Sequence, residues 1–263
     1  MKAKTWVVFA RSFSFHGELG DFSPPNFTLD FLDFKNHIGM FQEPKAVWIE
    51  VGFLASLPLR ELRSGFAEVI KHCLIADREE WDYLSGQSGG SWDWTAYFKH
   101  PEGYTENREE LLQALHHLVS HSVGIKSEVV ASDPREKGRR KILNFGHTLG
   151  HAIESYLLND RSRRLLHGEA IAWGMIGEAF ISYQRGELEL AGFEQIRSFI
   201  EGIYEKPNLG PEEIEEVIQL TYQDKKNEGN RVLMSLLPVI GSASFNQEVG
   251  EAEMREALGL ILE

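Results

Sequence analysis

"ILNFGHTLGHAIESYLL", Ile142 to Leu158, sets two histidines four residues apart, each behind a glycine, in an otherwise apolar run. Four residues is about one helical turn, so His147 and His151 project from one face. Two glycines would weaken an ordinary helix by roughly 1 kcal/mol each. Gly146 and Gly150 therefore point to a place where another backbone or a ligand comes close. A histidine pair at this spacing can give two metal ligands from one rigid helix. A protease of the HExxH type is excluded, because Thr148, Leu149 and Gly150 intervene with no glutamate base. The bland alternative is a pair of hydrogen-bonded core histidines.

Outward from this stretch, the chain of 263 residues is long enough to bury a large core as one domain or two. The formal charge of −13 argues against nucleic acid or anionic membrane as a general partner. One segment runs the other way. "PREKGRRK", Pro134 to Lys141, packs five basic residues into eight and leads directly into the histidine pair. It is either a solvated helix start or the wall of a small-anion site. No apolar run approaches the ~20 residues that span a bilayer, and no secretory signal is visible at the start. The single cysteine, Cys73, excludes an internal disulfide and a multi-cysteine metal cluster, so the cytoplasm is the expected compartment.

Beyond residue 60 the pattern is helical. In "RSGFAEVIKHCLIAD", Phe66, Val69, Ile70, Cys73 and Leu74 follow an amphipathic stripe. Further helices are expected at Glu106–Ser132, ending at Asp133-Pro134, and at Arg140–Leu157, His167–Gln184, Leu190–Tyr204 and Pro211–Gln223. "RVLMSLLPVIGSASF" reads as two short strands turning near Gly241, "SGQSGGSW" as a flexible loop, and "KAVWIEVGFLASLP" as one strand leading into the helices. The first 45 residues are aromatic and β-prone, broken at Pro24-Pro25. No G-x-G-x-x-G strand-to-helix turn and no P-loop occurs anywhere in the chain. The expected fold is mainly α, with residues 1–45 as an N-terminal extension and residues 46–263 as a helical domain ending near a β-hairpin.

Two further segments add chemistry. "LLHGEAIAWGM" puts His167 at a helix start, and "FAEVIKHC" puts Glu68 and Lys71 at i, i+3 inside an apolar stripe. A buried carboxylate and ammonium need a partner, a metal or a ligand. On a surface the same pair would contribute only a few tenths of a kcal/mol. Open zinc sites use about three protein ligands, commonly His with Glu or Asp.

"LPLRELRSGFAEVIKHCLIAD", "IKSEVVASDPREKGRRKILNFGHTLGHAIE" and "LHGEAIAWGM" together resemble the C-terminal half of 3-dehydroquinate synthases. The likeness extends upstream to "KNHIGMFQEPKAVWIE" and downstream through "DKKNEGNRVLMSLLPVIG". It implies the helical metal- and substrate-binding domain of that fold. It also implies a carbon–oxygen lyase of the shikimate pathway, in aromatic amino acid biosynthesis. Such an enzyme converts 3-deoxy-D-arabino-heptulosonate 7-phosphate to 3-dehydroquinate and phosphate with NAD and a divalent metal, zinc or cobalt. By the resemblance Glu68, His147 and His167 are the metal ligands, and His151 becomes a substrate-site acid/base instead of a ligand. Lys71, Lys126, Arg140, Asn144 and one of Lys225 and Lys226 bind the carboxylate, hydroxyls and phosphate of a sugar-acid phosphate. Lys35 and Asn36 match a stretch lining the cleft between two domains. Several cations on facing helices suit a substrate carrying both a carboxylate and a phosphate.

The departures are equally specific. The family's Rossmann-like nucleotide domain has no counterpart in this chain, and its "VGGK" segment is replaced by "SPPN", which puts Asn26 at the lysine. Weak NAD binding and little turnover by the chain alone are therefore expected. Three other readings stay open at this point. They are a non-catalytic metal- or anion-binding fragment or pseudo-enzyme completed by a partner chain, a related cyclase or polyol dehydrogenase, and a plain helical bundle. A homodimer is compatible with each.

Overall fold

The computed structural model describes residues 26–31, 34–41, 49–88, 92–103, 108–222 and 231–262, the first two segments by their backbone alone. In chain order they form β1 (Asn26–Phe31), β2 (Phe34–Phe41), a 3-10 turn at Val51–Ser56, α1 (Leu59–Ala76), α2 (Arg78–Leu84), α3 (Trp94–Lys99) and α4 (Arg108–Ser132). A second 3-10 turn, Arg139–Asn144, precedes α5 (His147–Leu157), α6 (His167–Gln184) and α7 (Leu190–Glu201). The short turn Pro211–Glu213 and α8 (Ile214–Thr221) follow, then β3 (Val232–Val239), β4 (Ser242–Val249) and α9 (Glu251–Leu262).

Helix α6 explains the arrangement. Every residue from Gly168 to Ala179 is buried, and a helix without a polar face must lie inside a bundle. Helices α1, α5, α7 and α9 and strand β3 all pack on it, while α4 lies against α1 and α8 against α5. Aromatic rings fill the far side of α1: Phe66 meets Trp94 and Phe98 of α3 at centroid distances of 5.1 and 5.0 Å. Strands β3 and β4 pair antiparallel, Val232 opposite Val249 and Val239 opposite Ser242, around Gly241 at φ 90°. Strands β1 and β2 also pair antiparallel, Asn26 opposite Phe41. Among the described residues no helix is long and apolar enough to cross a membrane.

Helix-rich architecture and the C-terminal hairpin agree with the sequence reading. Three expectations are corrected. The helix expected at Arg140–Leu157 is broken, because Gly146 takes φ 79° and separates the 3-10 turn from α5. The strand expected across 45–58 is, where described, the 3-10 turn at Val51–Ser56, capped by Glu50, whose Oε1 accepts from the Gly52 amide at 3.1 Å. The last expected helix opens as a 3-10 turn at Pro211 before α8 begins. Residues 1–25 and the expected domain boundary near 45 lie outside the described residues.

Candidate metal and anion site

Two glycine contacts bring the site together. A Cβ at Gly174 of α6 would strike the Gly146 carbonyl oxygen and lie 2.6 Å from the Gly150 nitrogen. One at Gly150 would lie 2.9 Å from the Ile171 Cα. Helices α5 and α6 thus meet backbone to backbone, which explains both glycines of the opening stretch. At the start of α6, a Cβ on Gly168 would collide with the Ser64 carbonyl of α1, and the Gly168 amide donates to Ser64 Oγ at 3.0 Å. Glu68 lies one helical turn beyond Ser64, so this contact sets it beside His167. Arg60 secures the same corner. Its Nε and terminal nitrogen each reach a Glu169 oxygen at 2.7 Å, and Glu169 accepts from the Leu166 amide just before His167.

The rings of His147, His151 and His167 form a triangle with centroid distances of 5.1, 5.5 and 5.4 Å. One nitrogen from each lies within 4.8 Å of the others. Glu68 joins this floor from α1, its Oε1 3.7 Å from His147 Nε2. Its other oxygen accepts from Lys71 Nζ at 2.6 Å, a pair in which the lysine is 3% exposed. Burial alone would push the Glu68 carboxyl up. Lys71, with His72, Lys126 and His167, overrides it and holds the group down at about 2. The carboxylate is therefore ionised at neutral pH.

These residues fit a divalent cation. Among the described residues Glu68 Oε1 is buried without a hydrogen-bond partner, on the side of the carboxylate that faces His147. His147 Nδ1 lies 3.1 Å from the Phe145 carbonyl oxygen, which can only accept. In the neutral ring the proton therefore sits on Nδ1, which leaves the Nε2 lone pair available. His167 Nδ1 lies 3.0 Å from Glu154 Oε2, and the same logic frees its Nε2. A carboxylate or carbonyl behind each imidazole is the usual support of a metal-binding histidine. Tetrahedral ligation places an N and an O donor about 3.4 Å apart, close to the observed Glu68–His147 separation. Among the described residues the three histidines are the group whose donor atoms all lie within 4.8 Å of one another, and Glu68 adds an oxygen 3.7 Å from His147 Nε2.

A cationic rim borders the floor. Lys126 of α4 is 7% exposed and acts electrostatically on Glu68. The loop after α4 is organised by Asp133, which accepts from the amides of Lys137 (3.1 Å), Gly138 (2.7 Å) and Arg140 (3.2 Å). Those amides, that of Gly138 most strongly, hold its carboxyl below the usual range. The Arg140 guanidinium donates to the Pro134 carbonyl at 3.2 Å, and Asn144 Nδ2 donates to Glu136 Oε1 at 2.9 Å. Two other cations of the basic run are drawn outward, Arg139 to Glu128 and Lys141 to Asn246.

The structure thus brings Glu68, Lys71, His147, His151 and His167 into one cluster, with Arg140 and Asn144 on the turn leading into α5. Lys225 and Lys226 lie outside the described residues, and Lys35 and Asn36 are described only as backbone of β2. Glu154 and Glu136 are site residues that the sequence reading does not contain. Glu154 follows His151 by three residues, a same-face spacing that could have flagged it. Glu136 carries no such signal, since its left-handed backbone, φ 52°, appears only in the fold.

The same architecture occurs in solved structures. ValA, the 2-epi-5-epi-valiolone synthase from Streptomyces hygroscopicus subsp. jinggangensis 5008, was determined with NAD+ and Zn2+ bound. It superposes with a TM-score of 0.69 at 25% identity, over 90% of this chain and 61% of that one. A 2-deoxy-scyllo-inosose synthase complexed with carbaglucose-6-phosphate, NAD+ and Co2+ gives 0.68 at 20% identity, over 89% and 60%, a likeness of fold alone. The fold is therefore that of the helical domain of sugar-phosphate cyclases.

The sequence comparison narrows the class. Residues 65–227 match the family model described as 3-dehydroquinate synthase C-terminal, and the chain belongs to the 3-dehydroquinate synthase family. The 3-dehydroquinate synthase of Halorhodospira halophila is 38% identical over 226 residues, 85% of this chain and 58% of that protein. That of Parabacteroides distasonis is 32% identical over 230 residues, 88% and 60%. The chain spans about three fifths of the length of these relatives.

Proposed function

We propose that this chain supplies the metal- and substrate-binding half of a 3-dehydroquinate synthase reaction. In that reaction 3-deoxy-D-arabino-heptulosonate 7-phosphate loses phosphate and closes to 3-dehydroquinate. The observation that carries the reading is the floor of Glu68, His147 and His167, with a buried carboxylate oxygen that lacks a hydrogen-bond partner, inside the segment matched by the family model. In this reading these three residues hold Zn2+ or Co2+, the ions bound in the two neighbouring structures. When bound, such an ion supplies Lewis-acid polarisation of a substrate hydroxyl. NAD, present in both neighbours, would supply the hydride acceptor of such a reaction when bound.

The chain's own residues divide the remaining work. Lys71 and Lys126, both buried, supply fixed positive charge for a carboxylate or phosphate at low solvation cost to the complex. Arg140 and Asn144 bind substrate oxygens once they exchange their present partners, Pro134 and Glu136. Lys225 or Lys226 and, from the N-terminal side, Lys35 and Asn36 complete the anion contacts. His151 carries protons, since its ring adjoins both His147 and His167.

Phosphate release tests the proposal. The full chain, alone and mixed with the nucleotide-binding domain of a curated relative, is given the keto-acid phosphate, NAD and Co2+ or Zn2+. Metal-dependent release that His151→Ala abolishes is expected in at least one arm. No release in either arm, with no binding of the keto-acid phosphate by calorimetry, would reject it.

A further inference from the structure

Helix α5 begins without an ordinary cap. The first amides of a helix have no intrahelical partner, and Ser, Thr, Asp or Asn at the cap position normally accepts from them. Here that position is Gly146, whose backbone is left-handed. Nothing larger fits: a Cβ there would lie 2.5 Å from Met175 Cγ and 3.0 Å from the Ile171 carbonyl oxygen. The same close packing that brings α5 onto α6 thus removes the local means of satisfying three buried amides.

Helix α6 supplies the acceptor. Glu178 stands one turn beyond Gly174, the residue that touches Gly146, so its side chain reaches the start of α5. Its Oε2 accepts from the Gly146 amide at 2.7 Å, and its Oε1 from the amides of Thr148 and Leu149 at 3.0 and 3.3 Å. Glu178 is fully buried, with 0% exposure. A carboxylate in such a place is costly unless it is fully hydrogen-bonded. Three amides at the positive end of a helix provide that compensation. His147 is the first residue of α5, enclosed between the amides that Glu178 holds.

We propose that Glu178 is the positioning residue for His147. From α6 it fixes the first turn of α5, so that His147 Nε2 faces Glu68 before any metal arrives. The metal affinity of the site then depends on a carboxylate that is not itself a ligand. This inference rests on the metal reading above. Glutamine at position 178 keeps the length and one acceptor oxygen but turns an NH2 group toward an amide donor, so the turn must shift. Aspartate is one methylene too short to reach.

The test uses the full chain, Co2+ as probe and three proteins: wild type, Glu178→Gln and His147→Ala. Each is first checked for folding by thermal unfolding without metal. Glu178→Gln is expected to bind Co2+ roughly 10- to 100-fold more weakly, the range seen when a residue behind a metal ligand is lost. Its visible d–d spectrum should shift, reporting altered geometry, while His147→Ala should lose the spectrum. A Glu178→Gln protein that unfolds earlier yet keeps wild-type Co2+ affinity and spectrum would overturn the proposal, leaving Glu178 a purely structural cap. If wild type binds no Co2+, the metal reading fails and takes this inference with it. If Glu178→Gln does not fold, hydrogen exchange of metal-free wild type decides. Slow exchange at Gly146, Thr148 and Leu149 is expected, and fast exchange there would show that the turn is not preformed.

Discussion

The floor and the rim of this site are built by opposite means. On the floor, glycines at 146, 150, 168 and 174 let three helices touch backbone to backbone, and the functional side chains emerge from rigid, buried elements. On the rim, a turn held by one half-buried carboxylate, Asp133, carries Arg140 and Asn144, whose side chains donate to Pro134 and Glu136. A floor must hold its donors in place before an ion arrives. A rim that closes on an anion benefits from contacts that can be exchanged. Substitutions on the floor should therefore cost folding stability, and those on the rim should cost binding.

The largest effect is expected at Lys71. Lys71→Ala leaves Glu68 ionised and buried without its cation, which should destabilise the metal-free protein by about 3–5 kcal/mol. Arg139→Ala removes an exposed pair with Glu128 and should cost under about 1 kcal/mol. Urea midpoints of the two variants check the contrast, and equal losses would break it.

Gly174→Ala comes next. The new methyl has only the backbone of Gly146 and Gly150 to displace, so a loss of about 3 kcal/mol is expected. The same pair of helices shows what a sequence can and cannot reveal. The spacing of His147 and His151 and the cost of Gly146 and Gly150 are readable, because helical period and glycine chemistry are local. The break at Gly146 is not, since a left-handed residue inside an apolar run is selected by the neighbour it must avoid, Met175. Glu178 is equally hidden, because a glutamate 32 residues away becomes a cap only once α6 lies across α5. Helix α9 is absent from the sequence reading although Met254, Ala257, Leu258 and Ile261 carry a readable stripe.

A smaller, pH-dependent effect is expected at His72, on the wall between α1 and α4. Its Nδ1 pairs with Ser122 Oγ at 2.6 Å, and burial, aided by Lys71, pushes its pKa well below 6.5. The unfolded chain then binds the extra proton below about pH 6.5, so stability present above that pH is lost as pH falls. Between pH 7.5 and 5.5 this one group should remove on the order of 1 kcal/mol. His72→Gln should flatten that part of the profile, and an unchanged difference between the two proteins would contradict the assignment.

The smallest change goes the other way. Gly124 lies exposed inside α4, and a methyl group added there would meet no atom within 4 Å. Gly124→Ala should stabilise the protein by about 0.4–1 kcal/mol, read as a rise in the urea midpoint. A loss there would show that α4, too, depends on a close backbone approach.

Metal affinity measured across four single variants tests the central claim most directly. Competition with a chromophoric chelator gives the Zn2+ affinity of Glu68→Gln, His147→Ala, His167→Ala and His151→Ala against wild type. A loss of more than about 100-fold is expected for the first three, beyond the range for residues merely supporting a ligand, with near-wild-type affinity for His151→Ala. Wild-type affinity in Glu68→Gln together with a collapse in His151→Ala would contradict this and assign the ion to the three histidines.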